Sequence, residues 1–173
     1  PAAGYKCHRS VPTRAIRTYF TAGTDGLSMV QEYDTTDYDS LYTALVLPFE
    51  EGGYEVDEDG LRDLVRMYTN DDQFARLGGG FIVNPEAGEV FYLDREERRR
   101  VIDIVVDEAG DEFNVFSGVY GARRAEMVEA AEDALELGVD GLFAMPPAGT
   151  MEVTTTIDAE STPEIWVDHV RTL

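Results

Sequence analysis

The sequence has 173 residues, and its 35 acidic and 14 basic side chains give a formal net charge of −21. This length and a hydrophobic share of 43% are typical of one globular domain with a single core. No apolar run reaches the roughly 18 residues of a transmembrane helix. The acidic charge disfavours a nucleic-acid partner, because phosphate binding needs clustered Lys and Arg. The single cysteine, Cys7, cannot form an internal disulfide, which indicates a reducing, cytoplasmic location.

The basic residues are almost all arginine, since Lys6 is the only lysine in the chain. Many acids with almost no lysine are typical of a protein kept soluble at high salt, where screening weakens self-repulsion. A GC-rich genome would also replace lysine by arginine. The sequence leaves a halophilic origin and a genome bias open.

Residues 1–40 differ from the rest of the chain. Residues 1–24 carry four basic side chains and no acid, and residues 32–39 are acidic and lack a clear period. We interpret 1–40 as a leader segment, separate from a main unit at 41–173. A basic arm lying on the acidic body explains its charge better than a transit peptide does, because the serine richness of such peptides is missing.

From residue 41 the pattern alternates between short apolar runs and amphipathic stretches. Strands are predicted over 42–48, 79–83, 114–118 and 141–145, and helices over 57–68, 94–110, 122–137 and 162–173. The second helix opens with the capping-box pair Asp94 and Glu97. Its run of arginines at 98–100 is interpreted as pairing with acids one turn away on the same helix.

Four strand–helix units with apolar strands predict a parallel sheet covered by helices. The candidates are an open doubly wound sheet and part of an eightfold barrel. A nucleotide site is disfavoured, because the segment 48–53 after the first strand carries two acids and lacks phosphate-binding glycine spacing.

Several separated motifs resemble the dihydrodipicolinate synthase / N-acetylneuraminate lyase family, in the same order and spacing. They are Thr-Ala-Leu-Val-Leu-Pro-Phe at 43–49, Val-Asp-Glu-Asp-Gly-Leu at 56–61, Gly88-Glu89 followed by Leu-Asp-Arg-Glu-Glu-Arg at 93–98, Phe116-Ser117-Gly118, and Glu-Leu-Gly-Val-Asp-Gly-Leu at 136–142 followed by Pro146. The resemblance implies an α/β fold, the (β/α)8 TIM barrel, of which residues 41–173 supply about the first four βα units. It also implies a homo-oligomer, commonly a tetramer.

The implied chemistry is a Schiff base between a lysine and pyruvate or another 2-keto acid, followed by making or breaking a carbon–carbon bond to an aldehyde. No cofactor and no metal are implied. The resemblance places the Schiff-base lysine on the sixth strand and a proton-relaying tyrosine on the fifth, and the chain has neither strand. Because Lys6 matches no family motif, the catalytic residues are unknown, and we expect a longer chain or a second chain to complete the site.

The resemblance assigns substrate binding to the loop after the second strand, where the family has Gly-Thr-Thr-Gly-Glu. Gly88 and Glu89 are kept here, whereas Glu86 and Ala87 replace the threonines. A carboxylate at Glu86 would repel a substrate carboxylate by about 1 kcal/mol in water. Either Glu86 points away or the ligand is not an ordinary 2-keto acid, and Gly88 could equally serve only a tight turn.

Tyr120, after the third strand, either donates a hydrogen bond to a ligand at the barrel mouth or is a packed loop aromatic. After the fourth strand the sequence is Pro146-Pro147-Ala148, which lacks the tyrosines of many family members. The proton relay that borrows a neighbouring subunit's tyrosine is therefore expected to be absent. Cys7, His8 and His169 fall short of a closed zinc site.

The leading hypothesis is the amino-terminal half of a Schiff-base lyase. The alternative is a non-catalytic relative with a degenerate site that binds a small acid or a protein, which the substitutions at positions 86, 87 and 148 favour. A third possibility is a half-barrel that dimerises, because open sheet edges invite aggregation.

Overall fold

A computed structural model describes residues 17–23, 26–32, 40–145 and 163–173. Contacts divide the chain into two compact units, Pro1–Ser40 and Leu41–Leu173. The predictions made for Lys6, Cys7, His8 and the segment 146–148 lie outside the described residues.

The first unit contains a β-hairpin that sequence analysis did not assign. Strand β1 (Arg17–Gly23) pairs antiparallel with β2 (Gly26–Glu32), in a register that runs from Arg17 opposite Glu32 to Gly23 opposite Gly26. The available signal was an Asp-Gly pair at 25–26 between two runs that contain β-branched and aromatic residues, which is typical of a hairpin.

The second unit is built on a four-stranded parallel sheet with strand order β3-β4-β5-β6. Its strands are β3 (Tyr42–Ala44), β4 (Gly80–Val83), β5 (Asn114–Val119) and β6 (Gly141–Ala144), and its helices are α1 (Glu58–Thr69), α2 (Asp72–Arg76), α3 (Arg95–Ala109), α4 (Arg124–Glu136) and α5 (Pro163–Val170). This is the first half of a TIM barrel, as predicted. The short helix α2 was not predicted.

Local signals in the sequence account for the helix boundaries. Asp94 and Glu97 form the predicted capping box, in which each side chain accepts a hydrogen bond from the other residue's backbone N–H, at 2.9 and 2.8 Å. Asp57 accepts from the backbone N–H of Gly60 at 2.8 Å and so caps α1. Helix α3 ends at Ala109, and the next residue, Gly110, has φ of 62°. Glycine ends the helix here because it adopts a positive φ without strain.

One face of the sheet packs against the helices and forms the core. Phe81, Val115 and Val119 on this face are fully buried, together with Leu61 of α1 and Ile104 of α3. The other face carries the alternate residues, which are half-buried or exposed: Tyr42, Ala44, Ile82, Phe116 and Phe143. In a closed barrel this second face points inward, so the described residues present the inner surface of half a barrel.

Candidate active site

The loop after β4 leaves the sheet through an unusual backbone conformation. Asn84 directly follows the strand with φ of 52°, and Glu89 has φ of 58°. Between them a single 3-10 turn spans Glu86–Gly88, closed by hydrogen bonds from Gly88 N–H to the Pro85 carbonyl and from Glu89 N–H to the Glu86 carbonyl. Two non-glycine residues in the left-handed region within six positions are uncommon and occur often at functional sites.

Gly88 ties this loop to the neighbouring strand end. A Cβ atom at Gly88 would lie 2.8 Å from Cδ of Pro85 and 3.0 Å from the carbonyl oxygen of Leu45, which follows β3. Its φ is not positive, so glycine is needed here for close backbone approach rather than for backbone freedom. The tight turn offered as one explanation of Gly88 is therefore present, and it holds the loop at the carboxyl ends of β3 and β4.

Most of the predicted substrate-binding residues of this loop are exposed to solvent, and the residues on either side of them are buried. Glu86, Ala87 and Glu89 are exposed, whereas Pro85 and Val90 are buried. Within the part of the chain that the structure describes, the backbone N–H groups of Glu86 and Ala87 have no protein acceptor, and neither Glu86 nor Glu89 forms an ion pair. The turn thus offers two backbone donors to an anionic group.

Tyr120 lies just beyond β5, at the same edge of the sheet. Its ring is half-buried and packs edge-on against Phe91, with centroids 4.6 Å apart. The contact joins the loop after β4 to the loop after β5. The packing matches the loop-aromatic alternative, and the hydrogen bond from Tyr120 to a ligand remains a prediction.

A small cavity lies beside Tyr120, between α3 and α4. Its volume is about 20 Å³, and Asn84, Arg98 and Ser117 are among the residues that line it. Ligand pockets are typically some 300–1,000 Å³ in volume, so this cavity is too small for a keto acid. The sequence named Ser117 only as part of a family motif and gave Asn84 no role. An asparagine just after a strand, where left-handed backbone is tolerated, was the only signal.

The arginine run on α3 pairs mainly between helices, so the prediction of pairing within the helix was wrong for most of it. Arg99 binds Asp133 and Glu136 of α4, whereas Arg100 binds Glu58 of α1 at 2.6 Å and only its second contact, at 3.1 Å, is to a residue of α3. Arg98 donates from Nε to the backbone carbonyl of Asp94 rather than to its carboxylate. An arginine on a helix binds whichever carboxylate lies nearest, and here the packing of α1 and α4 against α3 brings their carboxylates nearer than those one turn away on α3.

Asp133 lies at the centre of one of these charge clusters. Its side chain is 7% exposed, and it accepts hydrogen bonds from Arg95 at 2.7 and 2.8 Å and from Arg99. The hydrogen bonds from Arg95, followed by those from Arg99, hold the pKa of the Asp133 carboxyl below its usual value against the effect of burial. The cluster fixes α3 against α4 and thereby the loops that precede both helices.

His169 is the one residue of the weak zinc candidate set that lies in the described part of the chain, and its ring has a structural role. His169 is buried and donates from Nε2 to the carbonyl oxygen of Met145, 2.7 Å away. Among the residues that the structure describes, no three His, Cys, Asp or Glu side chains are grouped to hold a metal ion. Nor does any helix in those segments combine the length and apolar character needed to cross a bilayer.

Comparison with known proteins decides the family. Residues 37–148 match the model of the dihydrodipicolinate synthetase family, which is more than half of the chain. The chain belongs to the dihydrodipicolinate synthetase family. Membership places it in the superfamily of Schiff-base aldolase-type lyases, and it confirms the resemblance on which the sequence analysis relied.

Solved structures with this fold include N-acetylneuraminate lyase from Fusobacterium nucleatum, at 29% identity and a TM-score of 0.60, with 79% of this chain and 43% of that one covered. CdNal from Clostridium difficile in complex with mannosamine is 26% identical, with a TM-score of 0.62 and coverage of 80% and 44%. Dihydrodipicolinate synthase from Aquifex aeolicus, at 24% identity and a TM-score of 0.60, shares the fold, with coverage of 78% and 42%. The chain spans less than half the length of these family members.

Proposed function

We propose that this chain supplies the first four βα units of a Schiff-base-forming lyase that acts on pyruvate or another 2-keto acid. The observation that carries the proposal is the turn Glu86–Gly88, which is held at the carboxyl ends of β3 and β4 and whose two backbone donors have no acceptor among the residues that the structure describes. Active sites of TIM barrels gather at this edge of the sheet.

In the proposed site the turn binds the carboxylate of the keto acid. Backbone N–H groups of Glu86 and Ala87 would donate to its oxygens in place of the threonine hydroxyls of the family. The close approach of Gly88 to the Leu45 carbonyl keeps the turn from moving away from the sheet. Such fixed donors need no reorganisation when the anion binds.

The lysine of the proposed mechanism lies outside this sequence's barrel strands. Its neutral amine would add to the keto carbon, and the carbinolamine would lose water, after protonation of its hydroxyl, to leave a protonated iminium. When the carbon–carbon bond of the aldol substrate breaks, its electron pair would pass to the iminium to give an enamine, and the substrate hydroxyl would lose its proton to become the aldehyde carbonyl. This chemistry requires no metal and no further cofactor. We propose an aldehyde as the second reactant, as in an aldol reaction.

The effect of Glu86 on binding tests this arrangement. A carboxylate close to the bound keto acid would oppose binding, whereas an exposed carboxylate that points into solvent would not. We propose that Glu86→Gln tightens pyruvate binding by no more than a few-fold, since about 1 kcal/mol is the interaction of two charges 4 Å apart in water. Glu112→Gln, which neutralises an exposed carboxylate away from this loop, is the control, and isothermal titration calorimetry measures pyruvate binding by both variants.

The decisive experiment is borohydride trapping of the purified protein with pyruvate, read by intact mass and peptide mapping. Because Lys6 is the only lysine in this sequence, we expect one reduced pyruvate adduct on a lysine of the longer chain or second chain that completes the barrel, and none on Lys6. An adduct confined to Lys6, or none, would contradict the catalytic proposal. Omission of borohydride and replacement of pyruvate by lactate are the controls.

The alternative function is a non-catalytic relative that binds a small acid or a protein. The replacement of both threonines of the family loop by Glu86 and Ala87 favours it. Pyruvate binding without a trapped adduct would support it, and the double variant Glu86→Thr, Ala87→Thr would then bind pyruvate more tightly.

The remaining proposals concern assembly and setting. We propose a cytoplasmic homo-oligomer, a tetramer by resemblance, that is adapted to high salt. Sedimentation equilibrium at low and high salt measures the oligomeric mass and its dependence on salt. The same measurement distinguishes a tetramer from a dimer of half-barrels. A monomer at every salt concentration would contradict the oligomer.

A further inference from the structure

A residue that lines the cavity between α3 and α4 has a buried polar atom without a hydrogen-bond partner in the described part of the chain. Asn84 is 2% exposed and donates from Nδ2 to the carbonyl oxygen of Arg98 at 3.1 Å. This bond fixes which end of the amide is the nitrogen. Oδ1 is fully buried and has no protein donor among the residues that the structure describes. A buried acceptor without a partner is rare, because burial removes its hydrogen bonds to water.

A second buried polar group borders the same cavity. Ser117 is 0% exposed, and its hydroxyl donates to the carbonyl oxygen of the next residue, Gly118, at 3.2 Å. This is longer than the roughly 2.5–3.0 Å usual for O–H···O bonds, and the two lone pairs of the hydroxyl oxygen remain available as acceptors. Asn84 and Ser117 both line the cavity, and each carries a buried oxygen that can accept a hydrogen bond.

The charges around the cavity select the kind of molecule that fits. Asn84 Oδ1 and the Asp133 carboxylate oppose an anion, whereas the guanidinium groups of Arg95, Arg98 and Arg99 oppose a cation. Two buried acceptors require a molecule with two hydrogens to donate. The volume of about 20 Å³ admits a single water-sized molecule, since roughly 10–15 Å³ suffices for one.

We propose that one ordered water molecule occupies this cavity and donates its hydrogens to Asn84 Oδ1 and Ser117 Oγ. The water satisfies Asn84 and so holds it in its left-handed conformation, from which the turn Glu86–Gly88 departs. It is a structural part of the loop's support and does not depend on the proposed reaction.

The direct test is a crystal structure of the protein at a resolution that orders bound water. We expect density in the cavity about 2.7–3.0 Å from Asn84 Oδ1, as is usual for O–H···O bonds. An empty cavity would overturn the proposal, and so would the Arg98 guanidinium donating directly to Oδ1.

A double-mutant cycle tests the energetic coupling. Ser117→Val fills the cavity and displaces the water, which leaves Asn84 Oδ1 buried and unpaired. We expect Ser117→Val to raise the unfolding equilibrium constant by about tenfold more when Asn84 is present than in the Asn84→Gly background, where no acceptor is left. Thr43→Val, on the same sheet face but away from the cavity, is the control and should show no such coupling.

The cycle overturns the proposal if the effect of Ser117→Val is the same in both backgrounds. If Ser117→Val does not fold, Ser117→Ala replaces it, because alanine removes one partner of the water without filling the space. In that case we expect the crystal structure to show the water retained on Asn84. A direct protein donor to Oδ1 in that variant would count against the proposal.

Discussion

A Cβ atom placed on Gly118 would fall far inside van der Waals contact with the carbonyl oxygen of Asn84. The carboxyl end of β5 and the first residue after β4 therefore approach more closely than any side chain at position 118 permits. The clash would be with backbone, which cannot rotate away as a side chain does. Glycine at this position lets the backbone that starts the proposed substrate loop lie against β5.

We predict that Gly118→Ala lowers the free energy of unfolding by about 3 kcal/mol or more, because an extra methyl against backbone exceeds ordinary overpacking. Gly53→Ala is the control, since a Cβ there meets its nearest neighbour at 3.7 Å and φ is not positive. Urea unfolding followed by circular dichroism measures both. Equal effects of the two variants would show that the strands can separate to admit the methyl group.

The ion pairs of Asp133 give a second prediction. Asp133→Asn removes the charge that binds Arg95 and Arg99. We expect the free energy of unfolding to fall by about 2 kcal/mol, as for buried hydrogen bonds to charged groups. Glu129→Gln is the matched control, because its pair with Arg95 joins side chains 49% and 52% exposed. Exposed pairs contribute about 0–1 kcal/mol. If Glu129→Gln lowered the free energy of unfolding more than Asp133→Asn does, burial would not be what makes the Asp133 ion pairs stabilising.

The lowered pKa of Asp133 makes this contribution depend on pH. A carboxyl group whose folded pKa lies below its usual 3.8 stabilises the protein above that value and ceases to do so as the pH falls through the folded pKa. The stability gap between wild type and Asp133→Asn should thus be largest at neutral pH and shrink below about pH 4. Urea midpoints at pH 7, 5, 4 and 3 in 1 M salt measure it.

High salt is needed in that experiment because the chain carries a net charge of −21, and protonating other carboxylates relieves their repulsion as the pH falls. Wild type and Asp133→Asn share the titration of all the other carboxylates, so the difference between their stabilities reports on Asp133 alone. A gap that stays constant from pH 7 to pH 3 would show that the Asp133 pKa is not lowered in the folded state.

The left-handed conformation of Glu89 gives a prediction of the opposite sign. Glu89→Gly relieves about 1 kcal/mol of strain at φ of 58°, and the greater freedom of glycine in the unfolded chain offsets part of this. We expect a net gain of about 0.5 kcal/mol. Glu86→Gly, where φ is not positive, should instead lose stability. Thermal unfolding of both variants checks the difference, and a loss in both would show that Glu89 makes stabilising contacts.

Much of the fold follows from local patterns in the sequence. The spacing of apolar residues predicted all four βα units, and Asp94 and Glu97 predicted the start of α3, because both signals act over a few residues of chain. The sequence did not predict the hairpin of the first unit, because its apolar runs are short and the Asp-Gly pair at 25–26 is a weak signal beside the basic and acidic composition of 1–40.

The candidate site was predictable only as a stretch of chain. The family resemblance predicted the loop at Glu86–Glu89 as the substrate loop, and the barrel fold predicted Tyr120 at the same edge of the sheet. They did not give the contact of Tyr120 with Phe91, because that contact depends on how two loops pack after their strands are paired.

The sequence by itself determined the alternation of strands and helices, the helix caps and the family, because periodicity, capping and motif order are properties of neighbouring residues. Tertiary structure alone decided that Arg99 binds Asp133 of the next helix, that Gly118 lies against Asn84, and that Asn84 Oδ1 is buried with no donor in the segments that the structure describes. These depend on distances between elements far apart in the chain. Such distances are set by packing of the shared core, which no local pattern records.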